Sequence, residues 1–183
     1  TYGVNKGTKH RILIDYSTFL PGEEGAARTR DIRLRVTNGI PEIIIKLGTW
    51  GGTDARKEIS LCTNPGTFDT LVQIFGALGF CKGMLCQRTT YVYTYKNIEF
   101  ALVEIPGHSY YLEAEKMVEE GADKQQTMRD IASTCAELAL TPFTDEEFFT
   151  YVKKLNTEAN EIFDFNTYQD NYFQQRFHLS HIA

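Results

Sequence analysis

Apolar and polar residues alternate with a period of two along most of the first two thirds of the chain, and then recur at a period near 3.6. The first period marks a half-buried strand and the second an amphipathic helix. A first strand is predicted over His10–Phe19, where Ile12, Ile14 and Tyr16 alternate with Leu13 and Asp15, ending at Pro21-Gly22. Three more follow closely: Asp31–Val36, a Thr37-Asn38-Gly39 turn, Ile43–Leu47, a Gly-rich corner at Gly48–Gly52, and Arg56–Leu61. Turn residues bound each piece, so consecutive antiparallel strands are expected. Asn64-Pro65-Gly66-Thr67 breaks the pattern, and Phe68, Leu71, Val72, Phe75 and Leu78 then recur at helical spacing, with Thr67 as N-cap and Gly79 as the stop. Period two returns over Gly83–Tyr95, Ile98–Ile105 and Tyr110–Met117, separated by Lys96-Asn97 and Pro106-Gly107-His108. Two helices end the regular part, Asp123–Leu138 and one opened by the Thr144–Glu147 capping box and running to about Glu161. Thr1–Lys9 reads as an aperiodic polar lead-in, and the aromatic tail Ile162–Ala183 has no period.

Alternation also sorts the charges. Arg33 and Arg35 fall on one face of their strand with Ile32, Leu34 and Val36 on the other, Arg56 shares a face with Glu58, and Lys46 projects from an isoleucine-rich strand. Arg88 lies with Cys86 and Thr90, and Glu113 shares a face with Glu115. A solvated face of an ordinary antiparallel sheet would also be polar. Two carboxylates at i and i+2 among Tyr110, Tyr111 and Leu112 are costly to bury unless cations meet them, and the Arg33, Arg35, Lys46, Arg56 and Arg88 set can do so. Strands with charges of both signs on one face cannot form a dry core. The expectation is an α+β fold in which about seven strands close into an antiparallel β-barrel around a wet lumen, with helices packed outside.

Composition adjusts this picture only slightly. A length of 183 residues fits one domain, residues 1–183, with barrel strands over about 10–117 and C-terminal helices and tail over 123–183. Hydrophobic content of 42% and a formal net charge of -5 argue for a globular protein and against nucleic acid or an acidic membrane as partner. No apolar run reaches the length of a membrane span, and Thr1–His10 lacks a secretory pattern. The four cysteines, Cys62, Cys81, Cys86 and Cys135, have no zinc spacing, so free thiols and a cytoplasmic location are expected.

Arg33-x-Arg35, the Lys46 strand, Arg56-x-Glu58, Gly79-Phe80 before Arg88-x-x-Tyr91, and Pro106-Gly107 before Glu113-x-Glu115 occur in this order. The set resembles the CYTH domain of the triphosphate tunnel metalloenzymes, which include class IV adenylyl cyclases, thiamine triphosphatases and inorganic triphosphatases. The likeness runs from about Ile12 to Leu155, and Ile14–Phe19 resembles the Asp-x-Tyr-Phe strand of that family. It implies a closed barrel taking a triphosphate end-on. Arg33, Arg35, Lys46, Arg56 and Arg88 would bind phosphate oxygens, Glu113 and Glu115 would hold Mg2+ or Mn2+, and Glu58 with Arg56 would serve catalysis. Phosphoryl transfer is mainly positioning and charge neutralisation, so such residues suit it. The sequence also departs from the family. Thr1–His10 has no Glu-x-Glu-x-Lys strand, Cys86 stands for a lysine, Val103 for an aspartate and Ser60 for a glutamate. A chain that begins late and a divergent member with altered catalysis both account for this.

The functional expectation is divalent-metal-dependent hydrolysis of inorganic triphosphate, thiamine triphosphate or a nucleoside triphosphate, a phosphohydrolase acting on a small-molecule substrate. A cyclase making cyclic AMP and a non-catalytic polyphosphate-binding module are the alternatives, and homodimerisation is left open. Among lesser candidates, His178-x-x-His181 lacks a nearby acidic partner, Cys86 reads as a core thiol more than an activated one, and Trp50 reads as packing more than as a contact to a base. The tail is expected to close one mouth of the barrel or to cover its outside.

Overall fold

Two tight turns set the register of the sheet. Asn38 and Gly39 have φ of 47° and 82°, and Lys96 and Asn97 have 49° and 60°. Positive φ at both central residues is what a two-residue hairpin matched to strand twist requires. In the computed structural model, which describes residues 3–23, 25–51, 56–118 and 123–179, these turns join β2 (Arg30–Thr37) to β3 (Ile40–Leu47) and β5 (Lys82–Tyr95) to β6 (Ile98–Ile105). With β1 (Val4–Asp15), β4 (Lys57–Cys62), β7 (Ser109–Glu115) and β8 (Glu161–Asp164) they form one antiparallel sheet of eight strands. The order is β4-β3-β2-β1-β5-β6-β7, and β8 pairs with the first residues of β5. The helices are α1 (Phe68–Ala77), α2 (Lys124–Glu137), α3 (Asp145–Glu158) and α4 (Tyr172–Phe177).

The sheet is open, which corrects the expectation of a closed barrel. Among the described residues β4 pairs with β3 and β7 with β6, so these two strands are edges that do not meet. One cause is visible on the inner face. Ala101, Val103 and Ile105 of β6 are buried beneath Leu155 of α3, with Tyr111 and Tyr151 against them. A helix therefore lies on the face that a barrel would have turned to its lumen, and not every helix packs outside. The charge of Glu113 on β7 is among those that favour the charged form of Arg33 on β2.

The outer face carries the main core. Ile12, Ile14, Leu34, Val36 and Leu85 pack against Phe68, Leu71, Val72 and Phe75 of α1 and against Phe163 and Phe173 of the tail. The tail thus covers the outside of the sheet, through β8 and α4. Asp69 in the first turn of α1 accepts hydrogen bonds from the Phe173 and Gln174 amides and the Tyr168 hydroxyl, fastening it there. A second outer cluster sets Ile98 and Phe100 against Cys135 and Ile131 of α2.

Several boundaries move. The polar lead-in is strand from Val4, with a bulge between Asn5 and Gly7, because β1 pairs along its length with β5. The first strand ends at Asp15 and not at Phe19; a short 3-10 turn covers Ser17–Phe19. Thr67 occupies the N-cap position of α1, but its hydroxyl donates to the Asn64 carbonyl instead of accepting from the helix. The Thr144–Glu147 capping box opens α3 as expected. No helix among the described residues is long and apolar enough to cross a membrane.

Candidate anion-binding face

Strand parity places every cation named from the sequence on the inner face. Arg33 is paired in register with Asp15 and with Ile44, Arg35 with Leu13 and Glu42, Lys46 with Asp31 and Glu58, and Arg88 with Arg11. On β7, Glu113 and Glu115 face Ala101 and Glu99 of β6. Arg56 immediately precedes β4 and reaches the same face, since its guanidinium meets Asp31.

Asp31 is the centre of this arrangement and is completely buried. Its Oδ1 accepts from Arg28 Nη1 at 2.9 Å, and its Oδ2 accepts from Arg33 Nη2 at 2.8 Å and Arg56 Nη1 at 2.5 Å. Arg28 Nη1 also donates to Asp15 Oδ2 at 2.9 Å. Burial disfavours the Asp31 carboxylate, but the fields of Arg33 and Arg28 and the Arg56 hydrogen bond outweigh it and hold its pKa below the usual range. Burial likewise opposes the charge of Arg33, and Asp31 and Asp15 overcome it, so its pKa is raised.

The flanking cations are also compensated. Arg35 Nε and Nη2 both donate to Glu42 Oε2, at 3.0 and 2.8 Å. Lys46 lies 3.0 Å from Glu58; burial pushes the Glu58 pKa up, and the lysine with Arg35 and Arg33 brings it down below normal. Arg88 differs: it donates to the Gln87 carbonyl at 2.7 Å and to Asn160 Oδ1 at 2.9 Å, both neutral. The Nε atoms of Arg33 and Arg11 are buried and donate to no described group. Spare donors on buried cations are what an incoming anion can use.

A lid-like element spans this face. Trp50 packs edge-on against Phe148 and Phe149 of α3, each at 5.4 Å, and the Arg28 guanidinium lies 4.1 Å from its ring centre. At the opposite end Tyr151 bonds Ser109, and His108 Nε2 lies 3.0 Å from Glu158. Trp50 is therefore core between sheet and helix.

The other sequence candidates are placed as follows. Cys86 is buried, and burial pushes its thiol up to about 11 even though Arg88 and Arg33 pull the other way, so it is not an activated nucleophile. Gly48–Gly51 are described and Gly52 is not; His178 is exposed, and His181 lies outside the described residues. Sequence patterning does not single out Arg28, Asp15 or Asp31 as site residues. Asp31 shares the parity of Arg33 and Arg35, which was the available signal, whereas Arg28 sits in a loop where no period exists.

Glu113 and Glu115 do not by themselves fit a resident metal. Residues at i and i+2 on one strand stand about 7 Å apart. Among the described residues no three His, Cys, Asp or Glu side chains converge as a cation requires.

No family model and no curated protein matches the chain. Solved structures do resemble it. The PH1012 protein of Pyrococcus horikoshii OT3 aligns at a TM-score of 0.60 and 15% identity over 79% of this chain and 80% of that one. The PH1819 protein of the same organism gives 0.58 and 16%, over 83% and 86%. A conserved hypothetical protein of Pyrococcus furiosus, Pfu-838710-001, gives 0.58 and 13%, over 80% and 81%. At such identities the likeness establishes a shared fold.

Proposed function

We propose that the inner face binds a triphosphate-bearing small molecule, as the resemblance to the CYTH domain implies. The observation that carries this reading is the row Arg33, Arg56, Lys46 and Arg35, continued by Arg88 from across the sheet, with Asp31 holding the first two in place. Guanidinium forks oriented by a buried carboxylate are preorganised for phosphate oxygens. The ligand would exchange with Glu42 on Arg35, while Asp31, with no exposure, stays.

Hydrolysis belongs to the same proposal as its second stage. Mg2+ or Mn2+ would enter only as part of the substrate, bound to the triphosphate and offsetting its charge, since Glu113 and Glu115 do not by themselves hold one. Within this chain, Arg56 and Glu58 would do the positioning at the phosphate end. The free thiols of Cys62, Cys81, Cys86 and Cys135 support a reducing, cytoplasmic setting.

The test is calorimetric binding of tripolyphosphate, ATP and thiamine triphosphate, with phosphate release and cyclic AMP measured in magnesium, manganese and chelator. Binding that Arg33→Ala and Arg88→Ala each weaken at least tenfold is expected. Absence of binding by all three ligands refutes the reading. Turnover abolished by Glu113→Ala would establish the hydrolytic stage, cyclic AMP from ATP would identify a cyclase, and binding without turnover a binding module.

A further inference from the structure

The two edges of the sheet are finished differently. At β7, helix α3 sets Tyr151 against Tyr111, and Lys116 just beyond the strand bonds Asp130 of α2 at 2.8 Å. At β4 all six residues are exposed, including Ile59 at 50% and Leu61 at 63%. Natural edge strands are usually covered, bulged or charged along their length, because unpaired backbone is a template for another strand. In β4 the charges sit at one end, Lys57 and Glu58.

Backbone direction follows from one hydrogen bond. The Thr63 amide donates to the Pro41 carbonyl at 2.8 Å, so Thr63 points toward β3. Alternation along the strand turns Leu61 and Ile59 toward β3 as well, and turns the amides and carbonyls of Glu58, Ser60 and Cys62 to the free edge. A two-fold axis through Ser60 makes this edge complementary to itself. Ser60 then meets Ser60 of a second copy, and Glu58 meets Cys62, as hydrogen-bonded pairs. On the outer face Ile59 meets Leu61 twice, and no like charges are opposed.

We infer that β4 is an interface with a second copy of this chain, joining two sheets antiparallel across a two-fold axis at Ser60. A self-complementary patch of this kind closes as a dimer and does not propagate. It also brings the inner faces of the two copies together at the strand that bears Glu58.

Sedimentation of the full chain under reducing conditions tests this. A particle of twice the 20.9 kDa chain mass is expected. Ser60→Pro removes an amide that faces the free edge and none that bonds β3, so it should give a monomer with the melting temperature of the isolated chain. Leu61→Lys should weaken dimerisation at least tenfold, and serves if the proline variant does not fold. Ser60→Cys should cross-link under mild oxidant, since a hydrogen-bonded antiparallel pair has Cα atoms about 5.5 Å apart, within disulfide range. A wild-type chain that stays monomeric over the accessible concentration range overturns the inference. So does a folded Ser60→Pro or Leu61→Lys variant that dimerises as tightly as wild type.

Discussion

The two faces of the sheet are held by different physics. On the outer face, Leu34, Ile14, Val72, Phe68 and Phe173 are almost wholly buried and interact without direction. On the inner face, Asp31 is equally buried, but its partners are three guanidiniums at defined distances. Burial of apolar area tolerates substitution of similar shape and punishes lost volume. A buried charge cluster tolerates neither: removing one member leaves the others uncompensated. The outer face therefore supplies stability, and the inner face trades stability for positioned charge.

The largest expected effect separates the two directly. Phe173→Ala should cost about 3–5 kcal/mol by leaving a cavity against Phe68 and Phe163, measured by urea unfolding, with no recovery on adding tripolyphosphate beyond that of wild type. Asp31→Asn should cost a similar amount, about 3–5 kcal/mol, by leaving Arg28, Arg33 and Arg56 to repel one another. Here tripolyphosphate or phosphate should restore melting temperature more than in wild type, because an anion can replace the lost carboxylate. Equal behaviour of the two variants toward anions would erase the distinction between the faces.

Gly83→Ala probes the tightest part of the outer face, since an added Cβ would lie 2.3 Å from Ile14 Cγ2. A loss of about 1–3 kcal/mol is expected in the same unfolding assay. Glu23 tests the supporting loop. It accepts from the Thr29 and Arg30 amides and the Arg30 guanidinium, and these bonds, led by that from the Thr29 amide, bring its pKa to about 2 against burial. A depressed carboxylate pKa contributes stability that is complete above its ordinary value near 4.5 and is lost as pH falls toward 2. Glu23→Gln should thus remove about 1–2 kcal/mol at neutral pH, allowing for screening, and flatten the loss of stability between about pH 5 and pH 2. The smallest effect concerns thiols. At mildly alkaline pH exposed Cys62 should alkylate well before buried Cys86, as mass spectrometry of the labelled peptides would record.

Period-two alternation is a local property, so the side of the sheet on which Arg33, Arg35, Lys46, Arg88, Glu113 and Glu115 stand was legible from the chain. Residues Val4–Lys9 were not legible as strand, because most of them are exposed and what makes them β is the ladder to Thr90–Thr94. Four-residue β8 is too short to show a period, and its place against Lys82–Leu85 depends on a partner far away in sequence. The choice of Asp31 as the shared partner of Arg28, Arg33 and Arg56 depended on a loop and two strands converging.

By itself, then, the sequence determined most of the strands and the three longer helices, which of their residues share a face, and that one face would be charged, since these follow from turn residues and local periodicity. Only the tertiary structure decided that the sheet stays open, with α3 laid across the inner face over Val103 and Ala101. It alone decided that Arg28, Arg33, Arg35 and Arg56 are met by carboxylates of their own chain and that, among the described residues, β4 pairs only with β3, because edges and ion pairs are set by long-range proximity, which no local pattern encodes.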